Sequence, residues 1–315
     1  MDILVGYTGF VGSNLYESYS FDKVFNSRNI EEAFGTSPDV LVYSGVPAEM
    51  FLANKDPEAD RKIIENAINN IRKIDPKRVV LISTIGVYAA PNEVDEDTLI
   101  EIDSVLPYGK NRLMLERWVE ENIKDYLIVR LPGLYGKNIK KNFLYDFINI
   151  IPNMLSEDIY NKLGKVSKII SEKYEKQSNG FWKCKADITK QERLLLKQEF
   201  IDNGFTALNF TDCRGVYQYY NLRELWKDIN IALDNGVTKL NLAVEPVSIK
   251  EIYYYLTGKE FTNIIEKPIP VFNFYTKYAY IFGKSDRYIK DKEEVLKDIK
   301  AFVDYQLRVI EENVE

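Results

Sequence analysis

MDILVGYTGFVGSNL, residues 1–15, joins a short apolar strand to a helix start through three glycines. Ile3 to Val5 form the strand signal, and Gly6, Gly9 and Gly12 follow in GxxGxxG spacing. A dinucleotide-binding turn needs this arrangement. One glycine makes the tight exit from the strand, and one lets backbone N–H groups approach a pyrophosphate. The last lets the helix pack close, so that its N-terminal dipole faces the phosphates. A tight strand–helix turn that binds nothing would use the same glycines, so the weight lies in the order of strand, triplet and helix. Thr8, Phe10 and Val11 complete the candidate loop.

Outward from this loop, apolar and β-branched runs recur at 2–6, 23–26, 39–43, 78–83 and 126–130, each too short for a helix. Residues 57–74 place Ile63, Ile64, Ala67, Ile68, Ile71 and Ile74 at helical spacing behind a first-turn Pro57, and 110–123 repeat the pattern. Strand–helix alternation with near-continuous apolar strands predicts an α/β fold, a Rossmann-type doubly wound parallel sheet. The connection from Val24 to Asp39 has room for one brief helix only, around Ile30 to Phe34, so one sheet edge should be reduced. Residues 144–174 and 189–202 read as helical without clear strands, and 216–258 return to helix–strand–helix texture. A last amphipathic helix is expected over 291–313. The expected division is 1–136 plus about 211–258 as the dinucleotide domain, with 137–210 plus 259–315 as a smaller, mostly helical substrate lobe. The terminal helix is free to pack back on the first domain.

Composition narrows the chemistry. The 315 residues contain no histidine, which excludes Ser-His-Asp hydrolysis and histidine-ligated zinc; no metal site is expected. Acid–base work near neutral pH falls to Tyr, Lys, Cys, Asp or Glu. A net charge of −6 argues against nucleic acid as the main partner. Two cysteines, Cys184 and Cys213, suggest a reducing compartment rather than a disulfide framework. No apolar run approaches the ~20 residues of a membrane span, so no membrane partner is expected and the cytoplasm is the default location.

Ligands of open α/β sheets bind beyond the carboxyl ends of the strands. There the chain carries the glycine loop, Ser27-Arg28, Ser44-Gly45, Ser83-Thr84 and Arg130-Leu131-Pro132-Gly133, small, hydroxyl or cationic groups suited to a phosphate-bearing ligand. NAD-selective sites place a carboxylate after the second strand; FNSRN offers Arg28 instead, whose fork matches a 2′-phosphate. This favours NADP(H) and leaves NAD(H) open, the competing reading of Arg28 being a solvated surface arginine.

The loop spacing, with Phe10-Val11 before the last glycine and Ser13 after it, resembles the extended short-chain dehydrogenase/reductase superfamily of sugar-nucleotide epimerases, dehydratases and reductases. LPYGKNRLMLE (106–116) is similar to that superfamily's PYGxSKxxxE. The resemblance implies that Tyr108 is the general acid or base at a substrate carbonyl and that Thr84, three before Val87-Tyr88, bonds the same oxygen. The residue four after the tyrosine bonds the nicotinamide ribose and lends its charge; Asn66 falls at a helix asparagine, where a structural role is an equal reading. Here that basic residue is Arg112 in place of lysine, still charged but larger, forked and unable to yield a proton. A working stand-in should reach the ribose, whereas in a decayed site Arg112 should turn to a carboxylate such as Glu116. RGVYQYYNL (214–222) partly resembles the family stretch whose arginine grips the substrate diphosphate, with Gly215 and Asn221 replacing its aspartates.

The implied cofactor set is Gly6, Thr8, Gly9, Phe10, Val11, Gly12, Ser27, Arg28, Ser44, Gly45, Ser83, Tyr108, Arg112 and Pro132. The implied substrate set is Thr84, Tyr108, Gly133, Asn142 and Arg214. Ile85-Gly86 stand where the family's 4,6-dehydratases carry Asp-Glu. Gly86 also replaces the cysteine of GDP-fucose synthase, although SRNIEE (27–32) and ANKDPEAD (53–60) resemble that type of reductase. The expectation is an NAD(P)-dependent nucleotide-sugar oxidoreductase, a C4-ketoreductase or 4-epimerase, with a homodimer left open. The alternative is a dinucleotide-binding member with little or no turnover.

Overall fold

Every strand expected in the first half forms. The computed structural model describes residues 1–312, so the end of the expected terminal helix at 313 lies outside the described residues. Strands β1 (Asp2–Val5), β2 (Lys23–Phe25), β3 (Val40–Tyr43), β4 (Arg78–Thr84) and β5 (Asp125–Leu131) join the strand Lys239–Asn241 in one six-stranded sheet. Its order is β2-β1-β3-β4-β5 and then Lys239–Asn241, and the pairs are parallel. This is a doubly wound Rossmann-type sheet. Between β2 and β3 only the 3-10 turn Ile30–Ala33 forms, so three-residue β2 remains as the edge.

The path from β1 goes first to β2 on one side and then returns to β3 on the other. The reversal of strand order therefore falls at β1, between the ends of β1 and β3, where α/β sheets bind ligands. Val5 pairs with both Phe25 and Tyr43, so the three strands end level and release their loops side by side.

Helix α1 (Phe10–Ser18) follows the glycine loop, α2 (Met50–Lys55) and α3 (Pro57–Ile74) follow β3, and α4 (Pro107–Asn122) precedes β5. Asp56 caps α3 by accepting from Ala59 N at 3.1 Å, and Pro57 takes the first turn, where its missing N–H costs nothing. The stripe Ile64, Ala67, Ile71 and Ile74 faces Leu41, Val79, Leu81 and Ile128 of the sheet, with Leu115 and Val119 of α4 beside it. Asp60 lies on the same buried face of α3. Near the start of the chain, Tyr19 just past α1 stacks on Trp226 with centroids 4.2 Å apart.

Two units can be described separately: Met1–Asn138 with Val216–Val247 and Pro270–Asp298, and Ile139–Gly215 with Ser248–Ile269 and Ile299–Glu315, the latter described to 312. Pro270–Asp298, which the sequence reading assigns to the small lobe, cluster with the sheet-bearing unit. Their backbone is tied there, Phe272 N to Val216 O at 3.0 Å and Phe274 N to Gln218 Oε1 at 2.9 Å. The second unit has its own core of Ile151, Leu155, Leu163, Ile170, Tyr174, Leu196 and Phe200. It is not strand-free, as its sequence suggests, because Met154–Leu155, Trp182–Cys184 and Tyr174–Lys176 form a small antiparallel sheet. Two- and three-residue strands are too short to show alternation. Their one signal is Asn179-Gly180, with Gly180 at φ +83° in the turn. Among the described residues no helix is long and apolar enough to cross a membrane.

Candidate active site

The glycine loop is built from backbone held too closely for side chains. Gly6 leaves β1 at φ +93°, and a Cβ there would come within 2.5 Å of Ser44 O. A Cβ on Gly12 would overlap Gly6 O and lie 2.8 Å from Ser44 Oγ, so α1 can start against the loop only with glycine at this position. Gly9 is exposed, and a Cβ on it would meet only Gly6 O at 3.3 Å. Gly9 is also the N-cap of α1 and offers no side-chain cap, so the first N–H groups of the helix keep their donors for an anion. Thr8 is exposed beside it, and Phe10 and Val11 are half-buried. A dinucleotide pyrophosphate fits this cradle in shape and charge.

Beyond β2, Ser27 and Arg28 are exposed. Arg28 N donates to Asn26 Oδ1 at 2.9 Å, and among the described residues the guanidinium has no partner. Beyond β3, the Ser44 hydroxyl donates to Val5 O at 2.8 Å, bracing the loop against β1, and Gly45 is exposed.

The groups after β4 and β5 divide between site and scaffold. The Ser83 hydroxyl donates inward to Glu116 Oε1 at 2.5 Å. Glu116 is wholly buried and receives Arg130 Nε at 3.1 Å and Nη2 at 2.6 Å. Arg130 Nη1 donates to Tyr88 Oη at 2.7 Å, and Tyr88 Oη donates to Asp95 O at 2.6 Å. Burial disfavours charge on Arg130, but Glu116 outweighs it and holds the guanidinium above its usual range. Arg130 is therefore no phosphate ligand, which corrects its sequence reading; at 1% exposure it is the counter-ion of Glu116. Breaking such a buried pair costs about 3–5 kcal/mol. The network locks α4, the end of β4 and the end of β5 together, so residues carried on them keep their register.

Tyr108 and Thr84 meet around Gly86. A Cβ on Gly86 would lie 3.1 Å from Tyr108 Cε1 and 3.3 Å from Thr84 Oγ1. Thr84 Oγ1 accepts from Gly86 N at 3.0 Å, which leaves the hydroxyl hydrogen available to a ligand oxygen. The Tyr108 hydroxyl has no partner among the described residues. At the head of α4, Tyr108 N donates to Asn54 Oδ1 at 2.9 Å, a cap lent by α2. Gly109 brings α4 against the 85–87 turn: a Cβ there would overlap Gly86 O and come within 2.6 Å of Val105 Cγ1.

Arg112 lies against Tyr108, with its guanidinium carbon 4.2 Å from the ring centroid, a cation–π geometry. Its Nη1 bonds Asp60 Oδ2, and Nη2 donates to Pro47 O at 2.6 Å. The carboxylate that Arg112 meets is Asp60, and Glu116, the partner suggested by i,i+4 spacing, is taken by Arg130. Asp60, Asn54 and Pro47 are neighbours of Arg112 and Tyr108 that the sequence alone does not single out. The one signal for Asn54 and Asp60 is ANKDPEAD, where Asp60 reads as an ordinary first-turn acid of α3, and Pro47 lies outside it. Asn66 is exposed on α3 without a side-chain partner among the described residues.

Pro132 is half-buried after β5. Gly133 is constrained by packing: its N donates to Gln218 O at 3.1 Å, and a Cβ would come within 3.0 Å of that oxygen. In the second unit, Asn142 sits at φ +97° and caps α5 (Phe143–Asn149), accepting from Leu144 N at 3.0 Å and Tyr145 N at 3.2 Å. Arg214 is held by Asp212, Nε to Oδ1 at 2.9 Å and Nη2 to Oδ2 at 2.7 Å, and stays partly exposed. The arginine keeps the Asp212 carboxyl well below the usual carboxylate range.

The model of the NAD dependent epimerase/dehydratase family matches residues 23–168. No curated protein matches the chain. Among solved structures, UDP-glucose 4-epimerase of Thermotoga maritima with UDP-glucose is 15% identical at a TM-score of 0.61, covering 98% of this chain and 100% of its own. The dTDP-4-dehydrorhamnose reductase of Bacillus anthracis with NADP is 16% identical at 0.60, covering 95% and 96%. MoeE5 in complex with UDP-glucose and NAD is 14% identical at 0.59, covering 97% and 99%. At these identities the likeness establishes a shared fold over nearly the whole chain.

Proposed function

We propose that the chain is an NAD(P)-dependent enzyme of the extended short-chain dehydrogenase/reductase type, which its fold and the partial match to the epimerase/dehydratase family model support, and that it acts on a nucleotide sugar as a C4-ketoreductase or 4-epimerase, with Tyr108 as general acid/base. One observation carries the reading: the Tyr108 ring and the Thr84 hydroxyl converge on the space beside Gly86. A carbonyl oxygen bound within reach of both hydroxyls would accept from Thr84, whose other bond is already made to Gly86 N, and would exchange a proton with the Tyr108 hydroxyl. Bound nicotinamide supplies the hydride partner, and the protein supplies placement and the proton. The glycine loop and the open start of α1 would hold the pyrophosphate, and Arg28 the 2′-phosphate, which supports NADP(H) over NAD(H). By its place in RGVYQYYNL (214–222), which partly resembles the family stretch, Arg214 is the proposed contact of the substrate diphosphate. With Gly86 beside Tyr108 and no histidine in the chain, neither the dehydratase acids nor a Cys–His epimerising pair is present.

Tyr108→Phe removes only the hydroxyl. It should lower turnover by about 10²–10⁴-fold while leaving NADPH binding intact, read as NADPH oxidation with dTDP-4-dehydrorhamnose and, for epimerisation, as product formed from UDP-glucose. Retained turnover in Tyr108→Phe would remove tyrosine from the mechanism. A wild type that binds NADPH but turns over no nucleotide sugar would select the second reading, dinucleotide binding without catalysis, which the committed fork of Arg112 favours.

A further inference from the structure

Where the resemblance implies a lysine free to reach a ribose, this chain holds a buried three-way junction. Arg112 and Asp60 are each 6% exposed at the side chain. Asp60 Oδ2 takes both Arg112 Nη1 and Asn111 Nδ2, the latter at 2.8 Å. The other arm of the guanidinium ends on Pro47 O, and its carbon lies 4.2 Å from the Tyr108 ring centroid. The two acceptors come from different elements, Pro47 from the turn after β3 and Asp60 from the first turn of α3. A planar fork can satisfy both while lying against a ring, whereas an ammonium on a flexible stem is a point donor with no plane to stack. The site is thus built for arginine, and the substitution of lysine by arginine comes with matching acceptors rather than alone.

We propose that Arg112 is a positioning residue for Tyr108, held against its ring by Asp60 and the Pro47 carbonyl, and not a ligand of the cofactor ribose; this rests on the reading of Tyr108 as the acid/base. Asp60 acts through Arg112 and is a positioning residue as well. It follows that Arg112→Lys does not restore an ancestral contact. It empties one of two acceptors and loosens the tyrosine.

The test uses the full chain and four variants, Arg112→Lys, Arg112→Met, Asp60→Asn and the double Asp60→Asn/Arg112→Met. NADPH affinity is measured by fluorescence titration, and kcat and KM for NADPH with dTDP-4-dehydrorhamnose and UDP-glucose as probes. Expected are NADPH dissociation constants within twofold of wild type throughout and kcat lowered at least tenfold in each single variant, Arg112→Lys included. KM for NADPH should not change, and Asp60→Asn should cause no further loss of kcat in the Arg112→Met background. A merely structural role would not confine the loss to kcat or make the double variant equal to the single. NADPH binding weakened tenfold in Arg112→Met would make the arginine a cofactor ligand and overturn the proposal, as would wild-type kcat in Arg112→Lys. If a buried-charge variant fails to fold, Arg112→Lys, which keeps the charge, still decides. If wild type turns over neither probe, the functional reading fails separately, and the NADPH titration of Arg112→Lys and Arg112→Met alone decides whether Arg112 touches the cofactor.

Discussion

Gly109→Ala adds one methyl group at the point where α4 meets the turn carrying Gly86. The new Cβ would lie 2.6 Å from Val105 Cγ1 and 3.0 Å from the Gly86 carbonyl carbon, besides overlapping the carbonyl oxygen. Carbon–carbon contacts settle near ~3.5–4.0 Å, so the head of α4 and the turn must part by about 1 Å. Val105 can rotate, but Gly86 O belongs to the backbone and cannot. Overpacking of this kind costs about 1–3 kcal/mol. For a chain this large that is a fall in Tm of roughly 2–4 °C per kcal/mol, or somewhat less. The catalytic effect should exceed the stability effect. Tyr108 is the residue before Gly109, and Thr84 bonds Gly86 N, so parting the two backbones separates the two groups that reach one oxygen in the proposed mechanism. A misplacement of about 1 Å can cost on the order of 10²-fold in rate. The assay is NADPH oxidation with a nucleotide-sugar substrate beside a thermal melt and an NADPH titration. Expected are kcat down about a hundredfold, a Tm lower by several degrees and unchanged NADPH affinity, since the glycine loop is on another part of the sheet. A variant with wild-type kcat and Tm would refute the close approach of α4 to the turn and the convergence argued from it.

Gly9→Val should weaken NADPH at least tenfold, about 1.4 kcal/mol, with the melt unchanged because a Cβ at Gly9 meets only Gly6 O; a folded variant with wild-type affinity would sink the cradle. Arg28→Ala should cost NADPH on the order of 1.5–3 kcal/mol and NADH little, because only NADPH carries the 2′-phosphate, and equal losses would return Arg28 to the surface. Burial pushes the Asp146 carboxyl up to about 7. Its folded value exceeds its unfolded one, so the folded chain holds the extra proton and stability falls as pH rises from about 4 to about 7. Asp146→Asn should therefore raise Tm at pH 8 and change it little at pH 4, and a gain at pH 4 instead would mean that the carboxyl is not disfavoured by burial.

The glycine loop was legible because its requirements are local: φ +93° at Gly6 and backbone overlap at Gly12 are conditions that glycine alone meets, so they are written as glycine. The β-branched runs gave the sheet for a similar reason, and α3 runs from Pro57 to Ile74 as its apolar stripe and first-turn Pro57 predict. Side-chain pairing was not legible. From sequence Glu116 is the near partner of Arg112, one turn away on α4, yet tertiary packing brings Arg130 to Glu116 and Asp60 to Arg112. Helical spacing reports which residues share a face; it does not report what another element presents to that face. Ser83, Ser44 and Arg130 show the same limit, since a hydroxyl or cation at a strand end reads as ligand-facing whether it points out or into the scaffold.

Gly86 and Gly109 also bear on how this chain can change. A Cβ at position 86 would press on Tyr108 Cε1 at 3.1 Å, while the carbonyl of the same residue fills the space a Cβ at 109 would need. A side chain at 109 therefore needs the backbone at 86 to move, whereas one at 86 needs the Tyr108 ring to give by a few tenths of an ångström. A single substitution at 86 therefore shifts the Tyr108 ring as it adds its own side chain. Any new group at 86 is thus tied to the placement of the tyrosine beside it, and change at 109 must begin in the turn that carries Gly86.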